Sequence, residues 1–491
     1  MRTLCLPALL TAAVVAACTS TQESATAPRR FTPRFSTVVD SDTAVLATAD
    51  SQPIKGWGLY PGGGNNPFFK APGPQAEGLL YSMGLTFIRD QLDPALYDTG
   101  TTVSDIALNS AQVNAYVSKW TVAKDSGMGY ILSVWSPPDT MKDGALNGGQ
   151  LDSATGRAEF VAFLTVVMQH LNTSTAGLPK ALSIQNEPDF KTTSYPSTPY
   201  DTALWELTID NTRGSLNFAG FQSVTTFGPE LSKFDSAQMF LGGASFTSID
   251  GGYFADSSIG AYAFHTYGDN NWSSLRTFIE THHKDVWVTE FSKPNAQGTS
   301  QVARAIDLMG ALGANLEIIP TNYWAWWNGF AYATTDPAGG TLILGDTIHN
   351  TLQVTSMFYT LRKLFKAVVP GAWNLQVITS YSDKSTQLLR YTTTGQESSS
   401  QPRIDFYGFE KANTDSTVVV VSNWTNDDKR ITVVGFPTKY KVQHGYVSDS
   451  ASTNAEMIVQ DSSTVWTPSG QTVGRTVLYA PARSVLIAVM N

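Results

Sequence analysis

Short segments typical of β-strands alternate with amphipathic helical segments between residues 54 and 370. The alternation repeats eight times, and strand–helix alternation predicts right-handed βαβ units that form a parallel sheet. Eight such units close naturally, so we predict an α/β fold of the (β/α)8 barrel type, with a doubly wound open sheet as the alternative. The predicted strands are Ile54–Gly58, Thr86–Arg89, Tyr130–Val134, Ala181–Ile184, Ser223–Thr226, Tyr262–His265, Val286–Thr289 and Asn322–Trp326. The clearest helical patterns cover Ser110–Ser126, Gly156–Leu171, Gln301–Leu312 and Ile348–Val368.

The pattern changes after the last of these helices. Short strands rich in Val, Thr and Tyr, such as Val418–Val421 and Ser484–Val489, follow one another without a helical period. Strands of this kind with turns between them predict a β-sandwich. We therefore divide the chain into a barrel at residues 54–368 and a β-sandwich side domain at residues 369–491, completed by strands from residues 36–53.

The first residues resemble the leader of a bacterial lipoprotein. Arg2 precedes an apolar run from Leu4 to Ala17, which is too short to span a bilayer. The run ends in Val15-Ala16-Ala17-Cys18, which is similar to a lipoprotein cleavage box. We predict a signal peptide at residues 1–17 and lipidation of Cys18. Ordinary secretion, with cleavage at the end of the apolar run, is the alternative.

Residues 18–35 are rich in Ser, Thr and Ala, which predicts a flexible tether between the lipid anchor and the folded body. Thr19 is not an acid that would retain a lipoprotein at an inner membrane. We therefore expect a protein outside the cytoplasm, anchored to the outer membrane of a Gram-negative cell or secreted. The only cysteines of the chain, Cys5 and Cys18, lie in the leader. The mature protein is thus expected to have no disulfide and no thiolate chemistry.

The charge of the chain argues against a nucleic-acid partner. The chain has 32 basic and 41 acidic residues, a formal net charge of -9, and no basic block. Its 12 Trp, 19 Tyr and 24 Phe exceed what packing usually requires. Because aromatic side chains combine an apolar face with a polar edge, an excess of them favours binding of rings such as sugars.

Two glutamates follow apolar predicted strands at positions where barrel enzymes carry their chemistry. Glu187 follows the fourth predicted strand and Glu290 follows the seventh. Two carboxyl groups roughly 5 Å apart suit double displacement at a glycosidic carbon, since the charge of one raises the pKa of the other. The alternative is that both merely cap the next helices. Glu230, after the fifth predicted strand, is interpreted as a loop acid with a turn or solvent role.

The motifs around these glutamates are similar to those of glycoside hydrolase family 30, within the clan of retaining barrel glycosidases. The resemblance covers roughly residues 50–491 and is most specific at the two glutamates. The segments that carry it are Ser183–Asp189, Trp287–Glu290, Ser136–Pro138, His265–Gly268, Trp326-Trp327, Pro370-Gly371 and Pro481–Val485.

The resemblance implies roles for the residues of these motifs. Glu187 is expected to be the acid/base, Glu290 the nucleophile, and Asn186 a hydrogen-bond partner of the sugar 2-hydroxyl. Neither a metal nor an organic cofactor is expected, because two carboxyl groups and water complete the cycle. The expected partner is a polysaccharide or oligosaccharide, and a monomer is expected.

Further residues are expected to support the nucleophile. Arg89, His265 and Tyr267 are predicted to hold it ionised and oriented. The alternatives are a structural ion pair between Arg89 and Asp90, and ordinary core roles for His265 and Tyr267.

Four tryptophans are candidates for stacking on sugar. Trp135 and Trp326 are predicted to lie at the mouth of the barrel and to bind substrate, and Trp57 on the first strand is a further candidate. Trp324 has the same strand parity as Trp326 but lies deeper, where core packing is favoured. Core packing is also the alternative for Trp57 and Trp326.

The substrate prediction rests on the similarity to the bacterial xylanases of the family. Those that require glucuronic acid side chains carry an Arg after the tryptophans of the eighth strand, whereas residues 328–336 contain no Arg or Lys. We predict an endo-acting enzyme for β-1,4-xylan without a strict need for glucuronic acid. A β-1,6-glucanase, a β-1,6-galactanase, or a lipoprotein that binds glycans without cleaving them are the alternatives.

Overall fold

The structure is a computed structural model of the 491-residue chain. It describes residues 41–62, 67–93, 108, 110–151, 153–232, 258–267, 284–292, 300–318, 321–334, 340–379, 404–411, 416–436, 442–448, 455–457, 462–466 and 472–490. The predicted leader, the lipidation site Cys18 and the predicted tether lie outside the described residues. Among the described residues, no helix has both the length and the apolar character that crossing a membrane requires.

Eight parallel strands close into a barrel. Each predicted strand overlaps one of them, so the prediction of a (β/α)8 barrel is confirmed and the open-sheet alternative is wrong. The barrel strands are β2 (Gly56–Leu59), β3 (Phe87–Leu92), β4 (Gly129–Val134), β5 (Ala181–Ser183), β6 (Thr225–Leu231), β7 (Ala261–His265), β8 (Asp285–Phe291) and β9 (Thr321–Trp326). Because β2 pairs with both β3 and β9, the sheet has no free edge.

Within the described residues, helices follow six of the barrel strands: β2, β3, β4, β5, β8 and β9. They are α1 (Gly73–Tyr81), α2 (Ala111–Asp125), α3 (Ala154–Thr173), α4 (Thr202–Phe218), α5 (Gln301–Ile318) and α6 (Ser356–Ala367). Five of these helices begin after a side chain that accepts a backbone N–H of the first turn: Ser110, Ser153, Asp201, Ser300 and Thr355.

The last helix is shorter than its sequence pattern predicts. The pattern begins at Ile348, but α6 begins at Ser356 because the Thr355 side chain caps it. The preceding residues form a small sheet of β10 (Phe330–Ala331), β11 (Ile343–Asp346) and β12 (Thr351–Val354).

The side domain is a ten-stranded sheet, hydrogen-bonded in the order β18-β17-β21-β15-β14-β13-β1-β16-β20-β19. Strand β20 contacts β15 and β21, which are not its neighbours in this order, so the sheet folds over on itself as in a sandwich. Strand β1, N-terminal to the barrel, pairs antiparallel with β13 and parallel with β16. The strands are β1 (Ser41–Pro53), β13 (Ala372–Thr379), β14 (Ile404–Lys411), β15 (Thr417–Asn423), β16 (Lys429–Phe436), β17 (Val442–Ser448), β18 (Ala455–Met457), β19 (Ser462–Trp466), β20 (Thr472–Ala480) and β21 (Ser484–Met490).

Alternate residues of each barrel strand face different apolar layers. The inner layer fills the barrel with residues such as Phe87, Trp287 and Tyr323, and the outer layer packs the strands against the helices. On β2 the inward positions are glycines: a Cβ on Gly58 would lie 2.4 Å from the Phe87 ring, and one on Gly56 would lie 2.7 Å from the Tyr323 ring. The small residues of β2 therefore make room for the rings of its neighbours.

Trp57 lies between these glycines and faces the outer layer. Its ring stacks on Phe365 of α6 at a centroid distance of 5.0 Å, and its Nε1 donates to the Val368 carbonyl at 2.6 Å. The side chain is fully buried. The prediction that Trp57 binds sugar is therefore wrong, and the core alternative is confirmed.

Replacing Trp57 with Ala should destabilise the fold without changing glycan affinity. The variant leaves a cavity between β2 and α6, so we expect the free energy of unfolding to fall by about 3–5 kcal/mol. Chemical denaturation of the wild-type protein, Trp57→Ala and the milder control Trp57→Phe measures this loss. Weaker glycan binding at unchanged stability would instead show that Trp57 contacts sugar.

Candidate active site

The two glutamates predicted from the sequence meet at one end of the barrel. Glu187 lies just past β5 and Glu290 lies near the end of β8, and in a parallel barrel these ends share one rim. One carboxylate oxygen of Glu187 and one of Glu290 lie within 4.8 Å of each other. The two residues are 9% and 8% exposed, so both carboxylates are nearly withdrawn from water. The structure thus brings them together in a buried pair, rather than on the surface as helix caps.

Arg89 lies on β3 beneath this pair and contacts side chains from β6, from β8 and from the segment after β5. Its guanidinium is fully buried and donates to three side chains. Nε donates to Glu230 Oε1 at 3.0 Å, Nη1 to Glu290 Oε2 at 2.9 Å, and Nη2 to Asn186 Oδ1 at 2.5 Å. Burial acts to lower the pKa of Arg89, but the charges of Glu230 and Glu290 raise it above its ordinary value. Arg89 is therefore a permanent cation within the barrel.

The predicted partner Asp90 does not pair with Arg89. It lies on the opposite face of β3, where its Oδ2 is 2.6 Å from Lys119 Nζ and accepts the Trp120 Nε1–H at 2.6 Å. Since adjacent residues of a strand face opposite sides, the two charges serve different layers. The alternative of an Arg89–Asp90 ion pair is wrong.

Two further predicted residues contact the glutamates from β7 and the residues after it. His265 Nδ1 lies 3.0 Å from Glu187 Oε1, and its Nε2 lies 3.4 Å from Arg89 Nη2. This arrangement fits a tautomer with the proton on Nδ1, which donates to Glu187. The Tyr267 hydroxyl donates to Glu290 Oε1 at 2.8 Å. Tyr267 thus contacts Glu290 as predicted, whereas the hydrogen-bond partner of His265 is Glu187.

Tyr195 is a partner of Glu187 that the sequence did not reveal. Its hydroxyl donates to Glu187 Oε2 at 2.6 Å. Burial and the negative charge of Glu187 raise the pKa of Tyr195 above its ordinary value, so it stays a donor. Tyr195 lies in an irregular segment after Glu187, where no periodic pattern indicates which way a side chain points.

The glutamates and His265 titrate as one cluster. Burial raises the pKa of Glu290, against the effect of the nearby His265 and Arg89. Burial also acts to raise the pKa of Glu187, but the hydrogen bond and charge of His265 and the bond from Tyr195 lower it overall. Burial acts to lower the pKa of His265, but Glu290 and Glu187 raise it above its ordinary value. Because the groups are in mutual contact, protons added to the site are shared among them.

Asn186 is positioned by its neighbours to present a donor. Its backbone N–H donates to the Val134 carbonyl at 2.6 Å, and its Oδ1 accepts the Arg89 guanidinium. Since the acceptor end of the amide is occupied, the amide presents its Nδ2 as a hydrogen-bond donor.

Glu230 is not the loop acid that the sequence suggested. It is fully buried, and its Oε1 accepts Ser133 Oγ–H at 3.0 Å in addition to Arg89 Nε. Its φ of 55° turns the chain so that the side chain points into the barrel instead of toward solvent. The interpretation of a turn or solvent role is wrong.

At the end of β9 the partly exposed tryptophan is Trp327, one residue later in the sequence than the predicted Trp326. Trp326 is 1% exposed and its Nε1 donates to the Gly340 carbonyl, so it belongs to the outer core together with Trp324. The prediction that Trp326 binds sugar is wrong. Trp327 is partly exposed and stacks on Tyr60 at 3.9 Å.

Trp135 lies between this stack and the charged site. Its ring is 5.8 Å from the Trp327 ring, and Arg89 Cζ lies 4.8 Å from its centroid. Trp135 is 7% exposed. It therefore supports Arg89 and Trp327, while Trp327 offers the larger exposed aromatic surface beside the glutamates.

Glu187, His265 and Glu290 also satisfy the spacing of a metal site, since one ligand atom of each lies within 4.8 Å of the others. All four carboxylate oxygens already lie in hydrogen bonds with Tyr195, His265, Tyr267 or Arg89. A divalent cation at these oxygens would lie beside the buried Arg89 guanidinium, which donates to Glu290 at 2.9 Å. Repulsion between the two cations makes these residues a poor fit for a metal.

Comparisons with known proteins agree with this geometry. Residues 155–338 match the model of the glycosyl hydrolase catalytic core, a stretch that includes both glutamates. No curated protein sequence matches the chain significantly.

Solved structures share the fold over nearly the whole chain. The catalytic domain of the family 30 xylanase C from Talaromyces cellulolyticus is 17% identical, with a TM-score of 0.67 over 91% of this chain and 100% of that one. A family 30 subfamily 8 xylanase from Clostridium acetobutylicum is 17% identical, with a TM-score of 0.64 over 91% of this chain and 99% of that one. An endo-β1,6-glucanase is 15% identical, with a TM-score of 0.62 over 91% and 93%. The chain thus has the fold of a family 30-like barrel glycosidase and carries a glycosyl hydrolase catalytic core.

Proposed function

We propose that the protein is a retaining, endo-acting β-glycoside hydrolase that cleaves β-1,4-xylan without a strict need for glucuronic acid side chains. The spacing of Glu187 and Glu290 carries this proposal. Retaining enzymes place their carboxyl groups about 5–5.5 Å apart, whereas inverting enzymes separate them by roughly 6.5–9.5 Å to admit water. Oxygens of Glu187 and Glu290 lie at most 4.8 Å apart, which is close to the retaining separation and below the inverting one.

Two displacements complete the reaction. In the first, Glu290 attacks the anomeric carbon, the bond to the leaving oxygen breaks, and the proton of Glu187 passes to that oxygen. Glu290 is then a neutral glycosyl ester and Glu187 a carboxylate. In the second, Glu187 takes a proton from water, the water oxygen attacks the anomeric carbon, and the ester bond to Glu290 breaks. Two inversions restore the starting configuration.

Sugar binding supplies the correct distribution of protons. In the site without sugar, the pKa of Glu187 is lowered and that of Glu290 is raised, the reverse of what the first displacement needs. The leaving oxygen of a bound glycan accepts a hydrogen bond from protonated Glu187 but not from its carboxylate. Because a bond made only by the neutral form raises a pKa, the substrate draws the shared proton to Glu187. Glu290 then remains ionised between Arg89 and Tyr267.

The loop after β9 supports independence from glucuronic acid. Its described residues 328–334 contain no Arg or Lys that could form a bidentate bond to a uronate. Two similar structures are xylanases, which favours a xylan backbone. The similarity to an endo-β1,6-glucanase keeps a β-1,6-linked glucan as the second candidate.

Product release from a polysaccharide panel tests the activity. We expect the full-length protein to release oligosaccharides from xylan, and both Glu290→Ala and Glu187→Ala to abolish or strongly reduce release. Loss of the general acid costs about 10²–10⁴-fold. On a β-glycoside with a good leaving group, external azide should give the β-glycosyl azide with Glu187→Ala, because the covalent intermediate still forms, and the α-glycosyl azide with Glu290→Ala, because azide then replaces the missing nucleophile. The panel contains glucuronoxylan, arabinoxylan, β-1,6-glucan and β-1,6-galactan.

Asp189→Asn is the matched control for these variants. Asp189 lies beside Glu187 in sequence, but its carboxylate accepts the backbone N–H and the hydroxyl of Ser232 at 2.9 Å. It should retain most activity. If the first anomer seen by NMR is α, the mechanism is inverting and the proposal fails; binding without any product would favour the non-catalytic binder.

The pH dependence should move when His265 is replaced by Gln. His265 lowers the pKa values of both Glu187 and Glu290, so its loss raises both. The two limbs of kcat/KM follow the two apparent pKa values of the coupled pair in the free enzyme. Both limbs should therefore shift to higher pH. Limbs that stay in place would show that His265 does not control the pair.

We also propose that Cys18 carries a lipid anchor. The support is the sequence of the leader, whose residues lie outside the described structure. Cells fed a labelled fatty acid should incorporate it into the wild-type protein and not into Cys18→Ala. Labelling of neither protein, with release into the medium, would indicate ordinary secretion.

A further inference from the structure

Glu230 is a third buried carboxylate in the site, and its contacts are unlike those of a structural acid. Its Oε1 accepts both Arg89 Nε and Ser133 Oγ at 3.0 Å, and the same oxygen lies 4.0 Å from His265 Nε2. Its Oε2 is buried and has no hydrogen-bond partner within the described part of the chain. An unpaired buried oxygen costs free energy, so stability alone does not explain a carboxylate at this position.

Asp90 shows how a structural acid is held in the same protein. It is equally buried and lies next to Arg89 in sequence, but both of its oxygens are paired. Oδ1 accepts the Gln91 N–H at 2.9 Å, and Oδ2 contacts Lys119 and Trp120. The contrast indicates that Glu230 is present for the charged site, which Asp90 does not contact.

The geometry assigns Glu230 the role of a positioning residue for Arg89. A guanidinium is planar, so fixing Nε fixes where both Nη groups point. With Nε held by Glu230, Nη1 reaches Glu290 and Nη2 reaches Asn186. One carboxylate therefore aligns the nucleophile and the predicted donor to the sugar through a single rigid group.

The charges of the reaction give Glu230 a second task, and this step rests on the proposed function. When Glu290 becomes a glycosyl ester, its negative charge is lost and Arg89 no longer faces an anion on that side. The charge reappears on Glu187, which contacts His265 rather than Arg89. Glu230 takes part in no bond change and stays 3.0 Å from the guanidinium. It is thus the counter-ion that keeps the buried Arg89 cation neutralised through the covalent intermediate.

Kinetics of Glu230→Gln beside Asp90→Asn test this assignment. Each variant replaces one fully buried carboxylate with an amide of the same shape. Glu230 pairs with Arg89, and Asp90 pairs with Lys119. We expect Glu230→Gln to lower kcat by about 10²-fold, the effect of a misplaced catalytic group, with little change in KM. Asp90→Asn should lower the unfolding midpoint but leave kcat unchanged. A lowered midpoint with normal kcat in both variants would make Glu230 structural and overturn the assignment.

Two further measurements test the assignment if Glu230→Gln does not fold or if no substrate is found. Glu230→Asp keeps the charge but shortens the side chain by one methylene, so it should fold and still lose kcat; full kcat would overturn the assignment. NMR titration of His265 needs no substrate. Loss of the charge near Nε2 in Glu230→Gln should lower the pKa of His265, and Asp90→Asn should leave it unchanged. Equal titration in both variants would show that Glu230 does not act on the site, whatever the enzyme cleaves.

Discussion

The buried guanidinium of Arg89 is the interaction on which the site depends. Removing a cation from water costs several kcal/mol unless anions and acceptors surround it. Here the acceptors come from β6, from β8 and from the segment after β5, three parts of the chain far apart in sequence. Only a closed parallel barrel brings their carboxyl ends to one point. Fold and site are therefore linked, because the same ion pairs that satisfy Arg89 also fix Glu290.

Backbone conformation at two of these positions carries a cost that the network must offset. Glu187 and Glu230 have φ values of 49° and 55°, in the left-handed region where residues other than glycine are uncommon. Each such residue costs on the order of 1–3 kcal/mol. The Glu187 N–H donates to the Glu230 carbonyl at 3.1 Å, so the two strained residues support each other. The strain turns one carboxylate toward the mouth and the other toward Arg89.

Much of this arrangement was predictable from the sequence, and the errors have identifiable physical causes. The eight strands and both glutamates could be located because apolar runs mark strands and their ends mark the rim. The directions of Trp57 and Trp326 were predicted wrongly. Strand alternation shows which residues share a face, but not which face points into the barrel. With Arg89 as the reference, β9 directs Tyr323 and Ala325 inward, so Trp327 rather than Trp326 reaches the rim. Glu230 was misinterpreted and Tyr195 was missed because local backbone turns, not periodic patterns, set the directions of their side chains.

The segment after β5 that carries Tyr195 is held in place by hydrogen bonds to a neighbouring loop. The segment with Tyr195 is held to the loop after β4 by Lys142, whose Nζ donates to Ser136 Oγ at 2.7 Å and to the Ser197 carbonyl at 3.2 Å. Partial burial lowers the pKa of Lys142 to about 8. The segment that carries Tyr195 and Ser197 is therefore fixed both to Glu187 and to the loop after β4. A change in this segment that removes the Tyr195 contact should therefore raise the pKa of Glu187, because the bond from Tyr195 lowers it.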